Sequence, residues 1–85
     1  MELTKTEKMY LKKVNGLEAG TRRGLMNYGE AFDQLYGYNT AIKDNRLNTD
    51  KTDCMFEHLS CILNGSPQQK RTSLLILKMF NEWTK

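Results

Sequence analysis

The chain predicts an all-α fold, a small four-helix bundle, on three observations. Apolar residues recur at spacings of three and four along nearly its whole length, with no strand-like alternation. Polar breaks divide that pattern into four stretches. Between the last two stretches, Asn64-Gly65-Ser66-Pro67 both stops one helix and starts the next. There Gly65 is expected to take the left-handed conformation that ends a helix, since it has no Cβ to clash. Ser66 is expected to cap the following helix, with Pro67 pre-setting the first φ and Gln69 completing a capping box.

The first helix is expected near residues 4–18. Tyr10, Leu11, Val14 and Leu17 fall on one side of it, and Lys5, Lys8 and Lys12 on the other. The stretch from Gly16 to Gly20 is its expected exit. A second, long helix is expected over residues 21–44, because Leu25, Tyr28, Phe32, Leu35, Tyr36 and Ile42 form one continuous stripe. Gly24, Gly29 and Gly37 each weaken such a helix by roughly 1 kcal/mol relative to Ala, and close helix contacts are the expected reason for them. The polar segment 45–49 leads to a third helix at residues 50–64, with Met55, Phe56, Leu59, Ile62 and Leu63 on its core face. The fourth, at residues 67–84, is expected to turn Leu75, Ile76, Met79, Phe80 and Trp83 inward. Short connections make a helical bundle the default architecture.

Composition sets the scale. Eighty-five residues make a single helical domain over residues 1–85, with a modest core. Leu, Ile, Val and Phe total only 18 residues, so self-association, as a homodimer, is a natural source of further stability. No apolar run approaches the ~20 residues that span a bilayer, and the N-terminal sequence has no signal-peptide core. Cys54 and Cys61 are seven apart on one helix, about 10 Å, which is too far for a disulfide. Two free thiols point to a reducing, cytoplasmic setting. The net charge of +3 is unevenly spread. Residues 1–23 hold six Lys or Arg against three acids, residues 24–65 three against six, and residues 66–85 four against one. Two basic surfaces are thereby offered to an anionic partner.

Three constellations carry the functional argument. Cys54, His58 and Cys61 share one side of the third helix, and thiolates with an imidazole suit zinc. Three ligands on one helix leave a structural site incomplete, so no metal is expected and these side chains are read as packing. The same residues lack the oxyanion site and cleft of a nucleophilic enzyme, and no catalytic residue or cofactor is expected.

The second constellation is basic. Cys61-x3-Gly65 followed by Ser-Pro-Gln-Gln-Lys-Arg-Thr resembles the turn of a helix-turn-helix, which would make residues 67–84 the recognition helix. Asn64 and Arg71 depart from that motif where it calls for apolar residues. The third is apolar. Leu74 and Leu77 fall outside the expected inward arc of the fourth helix, with Lys70, Arg71 and Lys78 beside them. Apolar residues beyond a core face suggest a second contact surface.

The preferred reading is a small, soluble, non-enzymatic regulator that binds another protein through Leu74, Leu77, Lys70, Arg71 and Lys78. An inhibitor, modulator or adaptor of the size carried by phages and mobile elements fits this format. The alternative is a DNA-binding regulator with a degenerate helix-turn-helix. No membrane partner is expected.

Overall fold

A computed structural model describes residues 2–84 as four helices and, among them, no strand. Helix α1 spans Lys5–Arg22, α2 Tyr28–Asp44, α3 Asp50–Asn64 and α4 Pro67–Glu82. The all-α, four-helix expectation holds. Its second boundary does not, because α1 runs straight through Gly16 and Gly20 and the chain turns only at residues 23–27.

That turn has a clear cause. Gly24 adopts φ +74°, where a side chain is strained, and closes a double hydrogen-bonded helix end. The Gly24 amide donates to the Thr21 carbonyl at 3.1 Å and the Leu25 amide to Gly20 at 2.9 Å. Asn27 then caps α2, accepting from the Glu30 amide at 2.8 Å while its own amide group donates to Glu30 Oε1 at 2.9 Å. Helix α2 ends the same way as α1. The Arg46 amide donates to Lys43 and the Leu47 amide to Ile42, but here a non-glycine, Arg46, sits at φ +57°.

The glycines of the second stretch do not mark close helix contacts. An added Cβ would meet only the Asn27 side chain, at 3.4 Å, at Gly29, and nothing within 4 Å at Gly37. Gly65 also differs from expectation. Its φ of −80° is ordinary extended backbone rather than left-handed. Glycine is needed there because a Cβ would collide with the Cys61 carbonyl oxygen and lie 3.0 Å from Gln69 Cβ. The Gly65 amide donates to that same carbonyl at 2.7 Å. The start of α4 is as expected, with Ser66 accepting from the Gln69 amide and Gln69 Oε1 accepting from the Ser66 amide.

Helix α3 is the hub and packs against all three others. Met55, Leu59 and Leu63 are fully buried on it, along with Thr52, whose hydroxyl donates to the Thr49 carbonyl. Tyr10, Leu11, Val14 and Leu17 of α1 are buried as expected. On α2 the buried line is Ala31, Leu35, Asn39 and Ile42. Leu25, Tyr28 and Tyr36 instead face outward, and Phe32 is half-buried. Polar pairs, one buried and one half-buried, join the helices. The Tyr10 hydroxyl donates to Asn39 Oδ1 at 3.0 Å, and Asn15 and Asn81 exchange amide hydrogen bonds at 2.7 and 3.2 Å. Among the described residues, no helix is long and apolar enough to cross a membrane.

Candidate interaction surface

Helix α4 buries Ser73, Leu77 and Phe80, with Ile76 and Trp83 half-buried beside them. The inward arc is therefore rotated from the expected one. Leu77 is 7 % exposed and belongs to the core, whereas Leu75 and Met79, expected inside, are 68 % and 43 % exposed. A serine explains the difference. Ser73 lies at the centre of the arc and is buried, with its hydroxyl 3.4 Å from Nδ1 of His58 on α3, so the apolar pattern alone misses its phase.

What remains outside is a mixed face. Leu74 is exposed, as expected, and Leu75 and Met79 join it one turn apart. Arg71 and Lys78 are exposed on the same side of the helix. At 100° per residue, Arg71, Leu74, Leu75, Lys78 and Met79 cover the arc opposite Ser73 and Phe80. Lys70 is separate from this set. It is half-buried and its ammonium lies 5.4 Å from the centre of the Tyr28 ring, in a cation–π contact that ties the start of α4 to the start of α2. Of the five residues expected at a partner site, the structure leaves Leu74, Arg71 and Lys78 together on the outer face, turns Lys70 aside and withdraws Leu77.

The cysteines and His58 serve other surroundings. Cys54 packs against the core, and burial first, then the Glu57 carboxylate, pushes its thiol pKa up. A raised thiol pKa works against thiolate chemistry. His58 and Cys61 line a cleft of about 610 Å³ between α3 and α4, with Glu57 and Ser73. The serine hydroxyl there is buried and held at long hydrogen-bond distance from the imidazole. Among the described residues, no three His, Cys, Asp or Glu side chains converge as a metal site. Both cysteines are free.

Compared with known proteins, the chain matches no family model, no curated protein sequence and no solved structure at a significant level.

Proposed function

We propose that this chain is a small non-enzymatic regulator that acts by binding another protein, with the outer face of α4 as its contact surface. The supporting observation is the joint exposure of Leu74, Leu75 and Met79 on a face that also carries Arg71 and Lys78. Covering apolar area gains roughly 25 cal/mol per Å² before association costs. Methionine adapts to imperfect neighbours, and arginine is enriched where interfaces concentrate their energy. The complementary partner presents apolar surface bordered by carboxylates. Occlusion or recruitment of that partner is the mechanism open to so small a chain, in a reducing, cytoplasmic setting that suits two free thiols.

The test is affinity capture from the native host with the wild-type chain and with a Leu75→Glu/Met79→Glu variant that keeps its helicity. A protein retained by wild type at high salt and lost with the variant supports the reading. Capture unchanged by the double substitution contradicts it. Recovery of nucleic acid that dissociates steeply with salt would favour the alternative, DNA binding through Arg71 and Lys78. Sedimentation of the isolated chain distinguishes a homodimer from a foreign partner.

A further inference from the structure

Gly16 and Gly20 lie one turn apart on α1 and meet different surroundings. Gly20 is buried beneath Met26, whose methyl carbon would be 2.9 Å from an added Cβ. Gly16 would have nothing within 4 Å of its Cβ. The missing side chain leaves a slot between α1 and α2 of about 500 Å³, within the size range of small-molecule sites. Leu17, Met26 and Tyr38 form its apolar walls. Lys12 and Lys13 also line it, the latter donating to Gln34 Oε1 at 3.3 Å across the gap between the helices.

The charge of this slot has one sign. Its lining holds two lysines and no carboxylate, and Lys13 is met by a neutral amide. The acids of α1 itself are engaged elsewhere: Glu18 pairs with Arg22 at 3.1 Å and Glu7 is buried in the helix caps. An apolar body with a negative head meets all of these surfaces at once, and a cationic amphiphile would meet the lysines with like charge.

We infer that the α1–α2 slot is a binding site for a small amphiphilic anion, a free medium-chain carboxylate. Its chain lies over Gly16 against Leu17, Met26 and Tyr38, and its head group is held by Lys12 and Lys13. This site is on a different face from α4 and does not depend on the protein-binding reading.

Methionine-methyl NMR tests it with decanoate, kept below its micelle-forming concentration, and decyltrimethylammonium as the opposite-charge probe. Met9 and Met26 line the slot, Met79 is exposed elsewhere, and Met55 reports on the core. Decanoate is expected to shift Met9 and Met26 saturably while Met79 and Met55 stay still, and to bind at least about tenfold tighter than the cation. Gly16→Leu fills the slot and is expected to weaken decanoate at least about tenfold. Lys12→Glu/Lys13→Glu is expected to abolish the preference for the anion. Equal binding of the two amphiphiles, Met79 following the same curve as Met9, or an unaffected Gly16→Leu variant would overturn the assignment. So would binding to phosphatidylglycerol vesicles without a response to free decanoate.

Discussion

The Thr49 hydroxyl, at the cap of α3, donates a 2.6 Å hydrogen bond to Glu7 Oε2 on α1. The other oxygen of the same carboxylate accepts from the Thr4 amide at 2.7 Å and completes the capping box of α1. One buried side chain thus closes the start of one helix and grips the start of another, 42 residues apart in sequence. Lys51 stands 4.0 Å from it. Negative charge is favoured at helix N-termini, and here two of them share it.

This arrangement makes stability depend on acid pH. Burial alone raises the Glu7 pKa, but the Thr49 hydroxyl, the Thr4 backbone and Lys51 together outweigh it and leave the pKa below its ordinary value of 4.5. The folded state therefore prefers the carboxylate. Its contribution is present above the unfolded pKa and is lost as pH falls through the folded one. Glu7→Gln is expected to cost about 1–3 kcal/mol at neutral pH and to flatten the acid side of the stability profile. Urea titrations of both proteins between neutral and acid pH check this, and parallel profiles would show that Glu7 carries no such charge.

The two matching helix ends give a paired forecast. Gly24 and Arg46 occupy the same left-handed position after α1 and α2. Gly24→Ala is expected to destabilise by about 1 kcal/mol, whereas Arg46→Gly removes side-chain strain and is expected to stabilise by up to about 1 kcal/mol. Chemical denaturation of the two variants measures both signs.

At the α3–α4 junction the constraint is steric. Gly65→Ala is expected to destabilise despite the ordinary φ, because its Cβ would strike the Cys61 carbonyl, a backbone atom that moves only with α3. Ser66→Ala is expected to cost ~1 kcal/mol through the lost cap. Thermal melts of the two variants separate the effects, and a neutral Gly65→Ala would show that the junction relaxes freely.

Much of the fold was legible, and the misses have physical causes. The buried face of α1, the bounds of α3 and the start of α4 all follow from apolar spacing and capping residues. The break at residues 23–27 was hidden because Leu25 and Tyr28 continue the α2 stripe, although both prove exposed. Arg23-Gly24-Leu25 followed by Asn27-x-x-Glu30 was the signal that could have exposed it, a C-terminal glycine and then a cap. Leu77 lies inside although apolar spacing puts it outside, because a buried polar residue, Ser73, centres its face. Glu7 resembled any first-turn acid, and only a tertiary contact with Thr49 gives it a second role. The α1–α2 slot depends on which of two glycines Met26, in the turn after α1, folds back to cover, and no spacing encodes that.

The rotated face of α4 can be measured through stability alone. Leu75→Glu places a charge on an exposed site and is expected to change stability by less than about 0.5 kcal/mol. Leu77→Glu buries a carboxylate among apolar side chains and is expected to cost more than about 3 kcal/mol or to unfold the chain. Circular dichroism with urea titration compares them, and equal losses would return Leu75 to the core.

Site-specific photo-crosslinking in the native host tests the proposed contact surface most directly. A benzophenone side chain is placed at position 75 on the outer face of α4 and, in a separate protein, at position 36, an exposed tyrosine on α2. A discrete protein adduct from position 75 and none from position 36 is the expected result. A nucleic-acid adduct at position 75, the same adducts from both positions, or no adduct at all would contradict protein binding through α4.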